Sequence, residues 1–150
     1  MARILVVEDE LMLGLYISQE LKDEGYDVIT VADAGEAIKV LEIRNDIRTV
    51  FTDIDLRGSM NGLRLAAAVR ERWPPVNIIV TTGERSPRRD EMPERALFIA
   101  KPYKSEDVVE AVRSFERTLK LFANQPNVPF GSSADIAGVG KIAGYFTPAG

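Results

Sequence analysis

Five positions in this chain carry side chains that could take part in one reaction. They are the adjacent carboxylates Glu8 and Asp9, the carboxylate Asp53, the hydroxyl of Thr82 and the ammonium of Lys101. Three carboxylates in close quarters repel one another and raise each other's pKa unless a cation sits among them, and hard oxygen ligands suit Mg2+. Such an ion, with Lys101 and the Thr82 hydroxyl, would neutralise and orient the three oxygens of a phosphoryl group. Asp53 could then attack as a carboxylate nucleophile. Competing chemistries are few, because the chain has neither histidine nor cysteine. That excludes thiol nucleophiles, disulfides, Cys/His zinc sites, Ser-His-Asp triads and imidazole acid-base catalysis.

These groups share a position only if the chain folds so as to bring them to one rim. Five short β-rich runs, 4–7, 28–31, 49–52, 78–81 and 97–100, are nearly continuously apolar, as strands covered on both faces are. Between them lie helical patterns. Residues 10–24 space Leu13, Ile17 and Leu21 four apart before Gly25; 34–44 set Ala37, Val40 and Leu41 together; 62–73 group Leu65, Ala66 and Val69 before Pro74-Pro75. Ser105 is expected to cap a last helix with Glu106 and Asp107 in its first turn, above a stripe of Val108, Val112, Phe115, Leu119 and Phe122. Between the fourth and fifth runs, Pro87 and Pro93 predict a short or irregular element in place of a regular helix. Alternating β and α units imply an α/β fold, a doubly wound parallel sheet with right-handed crossovers. In such a sheet ligands bind beyond the carboxyl ends of the strands, where all five groups fall.

The net charge of −4, from 19 basic and 23 acidic residues, offers no pull towards DNA or an anionic membrane. No apolar run is long enough to cross a bilayer, and no secretory leader is visible, so a cytoplasmic protein is expected. Residues 123–150 hold five of the eleven glycines and three of the eight prolines. They are read as a tail after a domain spanning 1–122, with no separate output domain.

The segments Val6-Val7-Glu8-Asp9-Glu10, Phe51-Thr52-Asp53-Ile54-Asp55-Leu56, Val80-Thr81-Thr82-Gly83 and Ala100-Lys101-Pro102-Tyr103 together resemble the receiver domain of two-component response regulators, over roughly 3–122. The resemblance implies a flavodoxin-like five-stranded sheet in the order 2-1-3-4-5, with the helix before the last strand shortened here. It implies Asp53 as phosphoacceptor and Mg2+ held by Asp9 directly, by Glu8 through water, by Asp53, and by Asp55 through its backbone carbonyl. Thr82 would bind the phosphoryl oxygen and move with it, Lys101 would pair with the phosphate, and Phe98 would be the switch aromatic. Pro102 would follow a cis peptide. The implied partners are a sensor histidine kinase or histidine phosphotransfer protein and an unspecified downstream protein. Such a chain is not a classical enzyme, yet it would catalyse its own phosphorylation and dephosphorylation. The sequence departs from the family pattern at Arg57-Gly58-Ser59, where a Met-Pro pair is usual, and at Gly62, which lies nine residues beyond Asp53 where the family has eight.

Bland readings stand beside these. Asp9 or Asp33 alone reads as a helix N-cap, and Phe98 alone as a core aromatic. Met12, Leu15 and Tyr16 form a second apolar strip about 100° round the first helix. It serves either to pack against a neighbouring helix or to dock a helical-hairpin phosphodonor, with Met12, Tyr16, Pro102 and Tyr103 as candidate contacts. Three other readings compete, one of them a purely structural scaffold, which would bind no Mg2+ at the rim. Asp53-Ile54-Asp55 has the Asp-x-Asp form of a haloacid-dehalogenase-like phosphatase, but lies after the third strand rather than the first. A toprim-like nucleic-acid module is opposed by the acidic charge and by Lys101-Pro102.

Overall fold

The computed structural model describes residues 3–123. Strands β1 (Arg3–Val7), β2 (Asp27–Val31), β3 (Ile47–Asp53), β4 (Asn77–Thr82) and β5 (Leu97–Ala100) form one parallel sheet in the order β2-β1-β3-β4-β5. Helices α1 (Leu11–Asp23), α2 (Ala34–Ile43), α3 (Gly62–Arg72) and α4 (Ser105–Ala123) cover it. The order reverses between β1 and β3, which sets the ends of those two strands side by side. Successive side chains of a strand point to opposite faces, so β1 feeds two cores at once. Ile4 and Val6 join Ile17, Leu21, Val108 and Val112 of α1 and α4, while Leu5 and Val7 join Ala37, Leu41, Leu65 and Val69 of α2 and α3.

Local chemistry sets the boundaries. The Asp33 carboxylate accepts the Glu36 N–H at 2.8 Å, and Glu36 accepts the Ala32 N–H at 2.9 Å, which satisfies two donors at the start of α2. Asn61 accepts the Arg64 N–H at 2.9 Å at the start of α3. Gly25, at φ +95°, turns the chain out of α1 in a conformation that side chains rarely adopt.

Four expectations need correction. β2 is covered only in part: Val28 packs into one core and Ile29 and Val31 into the other, but its residues stay half-buried or exposed. Ser105 does not cap α4. Lys104 precedes the helix, and its N–H donates to the Asp107 carboxylate at 3.3 Å, so the acid three residues on supplies the acceptor. Leu119 is 66% exposed and so does not continue the buried stripe; Phe122 lies outside the described side chains. Leu13 is only half-buried, and the buried face of α1 runs through Gly14, Ile17, Ser18 and Leu21.

Between β4 and β5 only a single 3-10 turn forms, Arg89–Glu91, in keeping with the two prolines. Glu91 holds the segment together. Its two carboxylate oxygens accept from the Arg85 guanidinium at 3.1 and 3.0 Å, and one also accepts the Arg88 N–H at 3.1 Å. Those bonds hold its carboxyl well below the ordinary range, at about 2. From α3, Arg70 reaches across to the Glu94 carbonyl at 2.9 Å while also bonding the carbonyls of Pro74 and Val76. The expected tail at 123–150 lies outside the described residues apart from Ala123, the last residue of α4.

Candidate functional site

β1 delivers Glu8 and Asp9, β3 delivers Asp53, β4 delivers Thr82, and β5 is followed by Lys101. The parallel register sets these ends level: Asp53 lies opposite Thr81, and Thr82 opposite Ala100. Glu8 extends the ladder by donating its N–H to the Val31 carbonyl at 3.0 Å, which buries its side chain at the head of the strand. The Lys101 N–H likewise donates to the Thr82 carbonyl at 2.9 Å.

Lys101 is the hub of the charges. Its Nζ lies 3.0 Å from a Glu8 oxygen and 2.8 Å from Asp53 Oδ2. Both carboxylate side chains are 5% exposed or less, so neither is offset by bulk water. Burial pulls the Lys101 ammonium pKa down, but its bonds to Asp53 and Glu8 outweigh that and leave it raised. For Glu8 burial prevails. Its carboxyl titrates above the ordinary range despite the Glu10 N–H and Lys101, and the charge of Asp53 pushes it the same way. One carboxylate oxygen each of Glu8, Asp9 and Asp53 lie within 4.8 Å of one another, and Lys101, the buried cation beside them, pairs with only two of the three. That imbalance and the oxygen-only donors fit a divalent cation.

Asp53 Oδ1 accepts the Asp55 N–H at 2.9 Å, which turns the chain sharply after the strand. Gly62 buttresses this turn from below. Its N–H donates to the Ile54 carbonyl at 2.9 Å, and a Cβ there would sit 1.9 Å from the Asp53 carbonyl oxygen. The glycine thus makes the close contact in spite of the longer loop, whose slack is taken up at Gly58, φ +104°.

The structure brings Glu8, Asp9, Asp53, Asp55, Thr82 and Lys101 together, and Lys101-Pro102 is cis. Unlike Asp33, Asp9 is not a helix cap: it accepts the Arg57 N–H at 3.1 Å across the rim. Phe98 is buried to 1% in the core shared with α2 and α3. Among the described residues, no neighbouring helix buries Met12 or Tyr16. With Leu11 and Leu15 they form an exposed strip, Met12 at 74% and Tyr16 at 45%. Pro102 is exposed beside the site, but Tyr103 turns inward, its ring edge-on to Phe51 at 5.7 Å and its hydroxyl buried without a hydrogen-bond partner among the described residues. Burial, then the charges of Glu8 and Asp53, raise that hydroxyl well above the phenol range.

Two contacts have no counterpart in the sequence reading. The Thr82 hydroxyl donates to the Asp55 carboxylate at 2.5 Å and accepts the Glu84 N–H at 3.1 Å. The Arg57 guanidinium stands 3.7 Å from Asp9 at the mouth of the acidic group. Both partners lie beyond strand ends, where the alternation that orients strand side chains has stopped, so no periodicity could have indicated them. The Asp-x-Asp spacing was the one available signal.

Comparison with known proteins places this geometry. The transcriptional regulatory protein TcrA of Mycobacterium tuberculosis is 30% identical over 118 residues, 77% of this chain and 46% of TcrA. Among solved structures, a response regulator receiver protein from Sinorhizobium medicae superposes with a TM-score of 0.72 at 27% identity, over 76% of this chain and 93% of its own. The response regulator TrrA from Thermotoga maritima, solved in complex with Mg2+-BeF, gives 0.68 at 28% identity, over 77% of this chain and 99% of its own. The chain spans less than half the length of the curated relatives it matches. Residues 4–113 match the family described as the response regulator receiver domain, and with the sheet order and the rim of carboxylates in agreement, the chain belongs to that family.

Proposed function

We propose that this domain accepts a phosphoryl group on Asp53 from a phosphohistidine of a sensor kinase or histidine phosphotransfer protein, in a Mg2+-dependent reaction, and signals through protein contacts. The observation that carries this is the Asp53 carboxylate itself: buried, anchored by one oxygen to Lys101 at 2.8 Å, and grouped with Glu8 and Asp9. An Asp53 oxygen attacks phosphorus as the P–N bond to the donor imidazole breaks. The bonding pair leaves with the nitrogen, and an acyl phosphate forms. Lys101 lies beside the attacking carboxylate and balances charge gathering on the transferred oxygens. Glu8, Asp9 and Asp53, with the Asp55 carbonyl, would hold the Mg2+. When bound, that ion offsets the repulsion between the carboxylates and the incoming phosphoryl oxygens. The exposed strip of Leu11, Met12, Leu15 and Tyr16 flanks the site and offers the donor an apolar helix face.

The test is phosphorylation by acetyl phosphate or a cognate kinase with Mg2+, read as an alkali-labile adduct. Wild type gains one phosphoryl group, and Asp53→Asn, whose amide oxygen is a poor nucleophile, gains none while keeping its fold. An Asn variant that still forms the labile adduct places the acceptor elsewhere.

A further inference from the structure

The Thr82 hydroxyl has one proton to donate, and in this structure the proton is committed. It goes to the Asp55 carboxylate at 2.5 Å, while the Glu84 N–H fills the acceptor side of the same oxygen at 3.1 Å. Thr82 is buried to 2%, while its acceptor Asp55 lies in the exposed loop after β3. Donation to a carboxylate is the strong kind of hydrogen bond, about twice a neutral one. To bind an oxygen of a phosphoryl group on Asp53, the hydroxyl must withdraw its proton from Asp55. The same step leaves the Asp55 carboxylate facing a newly arrived anion from two residues away.

We propose that the Asp55 side chain is a latch on Thr82, a positioning residue whose carboxylate competes with the phosphoryl group for the single Thr82 proton. Signalling at this site is then an exchange of acceptors. The unphosphorylated arrangement is held by the Asp55 bond, and the phosphorylated one forms only to the extent that the phosphoryl oxygen is the better acceptor. The latch rests on the reading of Asp53 as phosphoacceptor and adds to it a residue that lowers occupancy of the active arrangement. A ligand shifts such an equilibrium only by its differential affinity for the two states, so weakening the latch shifts it without altering the acceptor.

The experiment titrates beryllofluoride, at Mg2+ concentrations saturating for each variant, and follows the Gly83 amide resonance, which every variant retains. Asp55→Ala is expected to lower the half-saturating beryllofluoride concentration about tenfold, the scale of one charge-assisted hydrogen bond. Asp55→Asn, which keeps an acceptor oxygen without its charge, falls between the two, roughly threefold below wild type. In a Thr82→Val background, which keeps the shape of the buried side chain, Asp55→Ala changes the half-saturation by less than about twofold, because the coupling runs through the hydroxyl. Thr82→Ser restores the full effect. An unchanged titration for Asp55→Ala overturns the latch, and so does an equal effect of Asp55→Ala with Val at position 82, which would leave charge alone as the cause. A wild-type protein whose resonances do not respond to beryllofluoride and Mg2+ overturns the phosphoacceptor reading and the latch with it.

Discussion

Gly62→Ala and Gly14→Ala are the same chemical change in two helices of one sheet, and the structure assigns them opposite signs. In a helix alanine is favoured over glycine by about 1 kcal/mol, so propensity alone stabilises both variants. At Gly14 in α1 a Cβ meets Thr30 Cγ2 at 3.4 Å and Glu8 Cβ and Cγ at 3.7 Å, ordinary van der Waals contact, and the gain survives. At Gly62 the nearest atoms are all backbone: the Asp53 oxygen at 1.9 Å, the Asp53 carbonyl carbon at 2.7 Å and Ile54 Cα at 2.8 Å. Raising the first of these to even 3.0 Å means parting α3 from the end of β3 by 1.1 Å, the difference between 3.0 and 1.9. Overpacking costs roughly 1–3 kcal/mol where side chains can yield, and backbone on both sides puts this case at or above the top of that range. Net of propensity, Gly62→Ala is expected to lose roughly 2 kcal/mol or more. At about 3 °C per kcal/mol for a domain of this size, that is a fall in Tm of some 6 °C, against a rise of up to about 3 °C for Gly14→Ala. Because the displaced atom belongs to Asp53, the variant is also expected to lose Mg2+ affinity. Thermal unfolding by circular dichroism, with a Mg2+ titration on each variant, measures both effects. A Gly62→Ala protein as stable as Gly14→Ala would refute the close approach of α3 to Asp53 and the account of the loop built on it.

Lys101→Met leaves Glu8 and Asp53 buried without their shared cation and is expected to cost about 3 kcal/mol at neutral pH. The folded Glu8 carboxyl, already raised by burial, rises further. Between the ordinary glutamate value of about 4.3 and that raised value the folded state binds the extra proton, so the deficit shrinks as pH falls through the window. Urea unfolding from pH 7 to 4, with and without Mg2+, checks it, and a deficit independent of pH counts against the charge account. Met12→Glu and Tyr16→Ala are expected to slow transfer from a histidine donor severalfold, as loss of apolar anchors does, without weakening Mg2+ binding. Equal transfer rates would remove the α1 strip from donor docking. Amides of residues 84–96 are expected to exchange faster than those of α4, and Glu91→Ala, which strips acceptors from Arg85 and the Arg88 N–H, to speed them further. Since the Glu91 carboxyl is held down at about 2, its contribution to loop order is complete above the ordinary carboxylate range and fades only as pH falls towards that value. Protection matching α4 in both proteins would contradict a loosely held loop.

Much of this molecule is legible in its residues taken in order. Strands one to five lie within two residues of their apolar runs, and α1, α2 and α3 lie within one residue of the helical patterns at 10–24, 34–44 and 62–73, because periodicity and backbone chemistry are local properties. The two prolines between β4 and β5 likewise exclude a regular helix whatever surrounds them. Convergence of Glu8, Asp9, Asp53, Thr82 and Lys101 follows once the sheet is parallel, since every strand then ends on the same rim. Tertiary structure decided the rest. How far Val28–Val31 is buried and whether Leu119 is covered depend on what packs against them from elements distant in sequence. The direction of Asp55, the reach of the Arg57 N–H to Asp9 and the inward turn of Tyr103 lie in loops after strand ends. There no repeating dihedral carries a side chain to a given face, and only contacts between residues distant in sequence decide where each group points.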